Sequence, residues 1–142
     1  MKHDKPPFEE FEHPADIGLR VRGESLPELF QNAGLGMIQL MLDPATVQAR
    51  EAKPIGATGD ETEALLVAWL NEVLFAFDAE GFAPCRVEVE SFVPGEVRGR
   101  LLGEPLDEAR HQFRNAIKAV TWHKLNVVKR AGMYQVEIIF DV

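Results

Sequence analysis

Four carboxylates and three histidines in this chain are of types that can do chemistry: Asp16, Glu104, Asp107 and Asp141, with His13, His111 and His123. Paired carboxylates can share acid/base work or hold a hard cation between their oxygens. Histidine is the usual proton carrier near neutral pH, and each of these three stands close to a carboxylate in sequence. Asp141 has the most telling setting. The run Tyr134-Gln135-Val136-Glu137-Ile138-Ile139-Phe140 reads as a strand, and Asp141-Val142 closes it. Chain ends are usually frayed and polar, so an apolar, β-branched end reads as a strand locked into a sheet. The Asp141 carboxylate and a terminal carboxylate on Val142 are then held together, as Ca²⁺ and Mg²⁺ require. The competing reading of each carboxylate is a cap or a solvated charge, and for Asp141 a charge that ends an edge strand.

Other chemistries lack their signatures. The histidine spacing fits neither His-Glu-x-x-His nor a Cys/His zinc site, and Cys85 is the one cysteine. No Gly-x-Gly-x-x-Gly, phosphate-binding P-loop or Gly-x-Ser-x-Gly occurs, and no base and nucleophile pair is apparent. Cys85, beside Pro84, reads as a packing or surface residue, His3 carries no signal, and Trp69 and Trp122 read as core.

Composition narrows the class. With 142 residues, 46% hydrophobic and 27% charged, the chain suits one globular domain with its own core. The formal net charge of -8, from 23 acidic and 15 basic residues, argues against a large direct nucleic-acid footprint. Arg110, Arg114, Lys118, His123 and Lys124 fall close together and read either as a local basic patch or as a solvated face. A single cysteine fits a reducing compartment. The first residues lack the apolar stretch of a signal peptide. The longest purely apolar run, Ala64 to Leu70, falls far short of the ~20 residues a membrane span needs. The expectation is a cytoplasmic protein with no membrane partner.

The elements that must position these residues follow from periodicity and caps. Residues 1–7 read as a loose arm before a domain at 8–142. Phe8 to Glu12 reads as a short strand, and Ile17 to Gly23 alternates as a half-buried strand does. His13-Pro14-Ala15-Asp16 is the turn between them. Ser25 as N-cap with Glu28 three residues on predicts a helix to about Leu42, with Leu26, Phe30, Ala33, Met37 and Leu40 on one face. Gly34 and Gly36 each cost such a helix ~1 kcal/mol, which close helix–sheet packing would explain. Residues 46–57 read as one strand. Asp60 as N-cap and Glu63 predict a second helix to about Glu80, apolar nearly all round and broken by Asn71 and Glu72. Arg86 to Val93 and Glu96 to Leu102 form a hairpin about Pro94-Gly95. Ala116–Thr121, Leu125–Lys129 and Met133–Phe140 read as three more strands, with a turn at Ala131-Gly132. The class is α+β: two main helices on largely antiparallel sheet.

Several blocks together resemble the archease family. They are His13-Pro14-Ala15-Asp16-Ile17-Gly18, Ala33-Gly34-Leu35-Gly36-Met37, Trp69-Leu70-Asn71-Glu72, Gly103-Glu104-Pro105-Leu106-Asp107, Arg110-His111, Ile117 to His123, and Ile139-Phe140-Asp141-Val142. They span most of the chain in the family's order. The resemblance implies a cytosolic, non-catalytic accessory protein of the RtcB-type RNA ligase, which joins tRNA halves after linking GMP to its own histidine. It implies faster guanylylation and turnover of that ligase, with tRNA involved indirectly. It also implies a divalent cation, calcium, with magnesium or manganese as alternatives, on residues that map to Asp16, Asp141 and Val142. A general chaperone or binding module for nucleic-acid-modifying enzymes is the alternative function, and a metal-dependent hydrolase a third. The chain departs from the family pattern at Ala116, where Glu is usual, at Trp122, where Tyr is common, and at Lys124, where Gly is common.

Overall fold

A computed structural model describes residues 5–13 and 16–142; of His13 it describes the backbone alone. Strands β1 (Phe8–His13) and β2 (Asp16–Gly23) pair antiparallel, and helix α1 (Leu26–Met41) follows. After a 3-10 turn at Pro44–Thr46 come β3 (Glu51–Thr58), helix α2 (Thr62–Asp78), β4 (Phe82–Val93) and β5 (Glu96–Pro105). The chain closes with β6 (Ala119–Val120), β7 (Val128–Arg130) and β8 (Met133–Asp141).

Two antiparallel sheets result. In one, β8 lies beside β2, β1 flanks β2, and the short β6 and β7 both pair with the other edge of β8. The second runs β3-β5-β4. Helix α1 has one sheet on each side. A Cβ on Gly34 would lie 2.8 Å from Val87 of β4, and one on Gly36 would lie 2.5 Å from Leu19 of β2. Two positions apart on a helix are about 200° apart around it, so the two glycines face opposite sheets. The core between the layers holds Phe30, Met37, Ile38, Leu66, Trp69, Leu70, Leu101 and Phe140. The Trp69 indole donates to the Phe30 carbonyl at 3.1 Å, tying α2 to α1. Asn71 and Glu72 are exposed, so they face water.

The first helix starts and ends as its sequence predicts: the Ser25 hydroxyl accepts from the Glu28 N–H, and Leu42 is the C-cap. The second differs in its cap. Its N-cap is Glu61 rather than Asp60, with no side-chain cap bond. Glu63 accepts instead from the Val127 N–H at 2.8 Å, so its carboxylate is spent on the last loop. The hairpin about Pro94-Gly95 is longer than expected, because β4 carries two register shifts, near Cys85 and Glu90, that keep it paired from Phe82.

The largest departure lies between 110 and 128, where two expected strands shrink to β6 and β7. That stretch caps α1 instead. The Arg114 N–H donates to the Met41 carbonyl, the Asn115 N–H and amide to Leu40, and the Arg114 guanidinium to Gln39. These are the carbonyls that a helix C-terminus leaves without partners. Residues 1–4 of the expected arm, and Pro14 and Ala15 of the expected turn, lie outside the described residues. Of the rest of the arm, the Pro6 and Pro7 carbonyls accept hydrogen bonds from Arg22.

Candidate functional site

Strand register brings the two ends of the chain together. Asp16 is the direct cross-strand partner of Asp141, at the first position of β2 and the last of β8. Residues opposite one another in an antiparallel pair point to the same face, with Cβ atoms about 4.5–5.5 Å apart. In β8, Val136, Ile138 and Phe140 are buried toward the core, so Asp141 is on the outward face with Gln135, Glu137 and Ile139. Asp141 is exposed and Asp16 half-buried. The Asp141 backbone is fixed on its other side: its carbonyl accepts from the Lys118 N–H at 2.7 Å, and Ala119 is its partner in β6. His13 pairs with Asp16 through the backbone on the far edge.

Two carboxylates facing each other, with main-chain oxygens nearby, are a donor set that suits a hard cation better than a soft one. Among the described residues no three His, Cys, Asp or Glu side chains gather as a metal site. A cation held by Asp16 and Asp141 would therefore need backbone oxygens, such as that of Val142, and water to complete its shell.

The other two candidate carboxylates serve a second, internal cluster. Glu104 is only 1% exposed and His111 only 4%. Glu104 accepts from Arg110 Nη2 at 2.9 Å and from the Gln48 N–H at 2.9 Å, and meets His111 Nε2 at 2.9 Å. His111 Nδ1 accepts from the Asp107 N–H at 3.0 Å, so the ring proton sits on Nε2 and points at Glu104. The bond from Arg110, then those from Gln48 and His111, hold the Glu104 carboxyl down at about 2. Asp107 is lowered as well, by the Ala109 N–H and then by Arg110. Glu104 and His111 are both buried and partnered, so the cluster fastens the 104–111 loop to the chain near Gln48.

The basic cluster read from sequence is not one free patch. Arg110 is committed to Glu104 and Asp107, and Arg114 to the end of α1 and to Asp43. Lys124 and His123 belong to the outward face of the β8 sheet, where they line a small cavity with Phe11, Glu137 and Ile139. Trp69 is core, but Trp122 is 58% exposed, at the start of a turn closed by the Leu125 N–H on the Trp122 carbonyl. Cys85 is half-buried and donates to the Leu102 carbonyl, and burial pushes its thiol up, which suits packing rather than nucleophilic attack. Sequence reasoning missed the way Arg20, Lys124 and Arg130 converge on one outward groove. Lys124, within the basic cluster read from sequence, was the one available signal.

Comparison with known proteins agrees with this architecture. Residues 8–142 match the model of the archease protein family. The chain is 35% identical over 139 residues to protein archease of Thermococcus gammatolerans, covering 95% of this chain and 98% of that one. It is 33% identical over 138 residues to protein archease of Methanothermobacter thermautotrophicus, with the same coverage. The solution structure of a Methanobacterium thermoautotrophicum protein superimposes with a TM-score of 0.80 at 31% identity, covering 96% of this chain and 99% of that one. A Thermotoga maritima crystal structure, described as an archease and possible chaperone, shares the fold with a TM-score of 0.68 at 22% identity over the whole of both chains.

Proposed function

This chain belongs to the archease family, and from that premise we propose that it is a non-catalytic activator of an RtcB-type RNA ligase. It speeds ligase guanylylation and turnover in tRNA ligation, acting in the cytoplasm with a divalent cation, calcium in the first instance. The reading is carried by one observation, the direct pairing of Asp16 with Asp141 at the end of the sheet. Like charges set directly opposite are unfavourable by themselves. A cation between them turns that repulsion into attraction, and Val142 adds an oxygen. The cation would supply charge neutralisation for phosphoryl transfer. The protein's own part is to hold both carboxylates on paired strands at an accessible end of the sheet. Its acidic surface suits docking to a basic, RNA-binding partner.

The test has two readouts. Calcium should raise the unfolding midpoint of the wild type and leave Asp16→Ala and Asp141→Ala unmoved. Both variants should remain folded and lose acceleration of guanylylation in a time course with the ligase. Full activation by both variants would sink the metal-site mechanism.

A second reading, a chaperone or general binding module, has its own observation. Phe113 is 41% exposed at the edge of a groove formed with Met41, Phe77 and Leu106, and Phe75 of α2 is exposed too. An apolar docking surface of that kind should be indifferent to Asp141. Retention of client binding in Asp141→Ala would favour it.

A further inference from the structure

The outward face of the β8 sheet carries a groove of about 300 Å³, lined by Arg20, Lys124, Asn126, Arg130, Gln135 and Glu137. Its charges are not equivalent. Arg20 is neutralised by Glu137 at 2.8 Å and Glu9 at 3.2 Å. Lys124 and Arg130 are in no ion pair among the described residues, so the groove keeps two uncommitted cations. The Asn126 and Gln135 amides add donors. On a chain of net charge -8, two free cations above one concavity are a local reversal of sign.

Lys124 supplies an independent observation. Its φ is +52°, in the left-handed region that a lysine adopts only at a cost. Glycine would sit there without strain. Backbone strain of this kind clusters at ligand sites, where a long side chain is held for use. The side chain of Lys124 lines both this groove and the adjoining cavity of about 180 Å³.

We propose that this groove is a binding site for a compact phosphate-bearing anion, such as pyrophosphate or the polyphosphate tail of a small molecule, held by Lys124 and Arg130. Its size and its surroundings favour a compact ligand over a nucleic-acid backbone. A long polyanion would have to continue over the acidic remainder of the surface, whereas a short one ends inside the groove. The site is separate from the Asp16–Asp141 pair. Glu137 and Asp141 are four residues apart on β8, about 13 Å at strand rise.

The experiment is a titration of the intact chain with sodium pyrophosphate at physiological salt and with a chelator present, so that no divalent cation contributes. Trp122, exposed and two residues from Lys124, gives the fluorescence signal, and calorimetry checks it. Wild type should bind saturably. Lys124→Gly should bind roughly tenfold more weakly, the loss expected for one charge-assisted contact, while its unfolding midpoint rises because the strain is gone. Arg130→Gln should weaken binding similarly, and Asp141→Ala should bind as wild type, which separates this site from the ligase reading. No saturable binding by wild type would overturn the proposal, as would unchanged binding by both cation variants. Tighter binding of a single-stranded oligonucleotide without terminal phosphates, lost in the same variants, would overturn the compact-anion assignment in favour of RNA.

Discussion

At the scale of single residues, the four candidate carboxylates separate into two kinds by what surrounds them. Asp16 and Asp141 face each other at an accessible sheet end. Glu104 is sealed among Arg110, His111 and the Gln48 N–H, and its role is to hold the fold. Its carboxyl sits at about 2 when folded against an ordinary 4.5, so between those values the unfolded chain binds more protons than the folded one. The stability that Glu104 contributes is therefore fully present above pH 4.5 and is lost as pH falls toward 2. Glu104→Gln should lower the unfolding midpoint at neutral pH. It should also flatten the acid limb of the stability curve in that window, measured by thermal unfolding from pH 2 to 7. An acid limb of unchanged steepness would mean that other carboxylates govern it.

At the scale of elements, legibility followed the locality of the forces. Helix α1 could be read to within a residue because its cap, its apolar stripe and its stop at Asp43-Pro44 are all local. The turn at Ala131-Gly132 was readable for the same reason, yet it holds a flaw. Both residues have positive φ, +53° and +77°, as a two-residue hairpin turn requires, and alanine is poorly suited to the first position. Ala131→Asn should stabilise the protein by about 1 kcal/mol, seen as a rise of roughly 2–4 °C in the unfolding midpoint. A fall would mean that Ala131 packs against something that asparagine cannot replace. The stretch from 110 to 128 was not legible, because its backbone serves distant partners: Leu40 and Met41 in α1, Glu63 in α2 and Asp141 in β8. A run such as Ile117 to Thr121 has strand composition, but pairing depends on which edge is free. Ala119–Val120 pairs with the edge of β8 as strand, with the Lys118 and Thr121 N–H groups bonded to it on either side. The candidate site shared this split. Asp141 could be singled out from its strand, but its pairing with Asp16 is a matter of register between residues 125 positions apart, and only the family resemblance linked them. The cations of the outward groove come from three separate stretches and carried no motif at all.

At the scale of the whole molecule, the question is how an acidic chain would play the part in RNA joining proposed above. A protein that carried tRNA itself would need a continuous field of cations, since each neutralised phosphate adds to affinity by releasing counterions. Here Arg20, Arg22, Arg100, Arg110 and Arg114 are committed to carboxylates. Of the cations outside ion pairs among the described residues, Lys124 and Arg130 share one concavity, too few and too localised to follow a backbone. The isolated protein should therefore bind labelled tRNA weakly near physiological salt and release it readily as salt rises, in a direct titration. Its effect on ligation should then pass through the ligase and persist with any RNA the ligase accepts. The strongest challenge would come from the sequence cluster itself. If tRNA bound tightly and salt-resistantly, and binding vanished on replacing Arg110, Arg114, Lys118 and Lys124 together, the protein would act as an RNA carrier and the paired carboxylates would be secondary. Arg110 and Arg114 also hold the fold, so that quadruple variant must be shown to remain folded. Lys118→Ala with Lys124→Gly is the cleaner arm, because neither side chain is in an ion pair among the described residues.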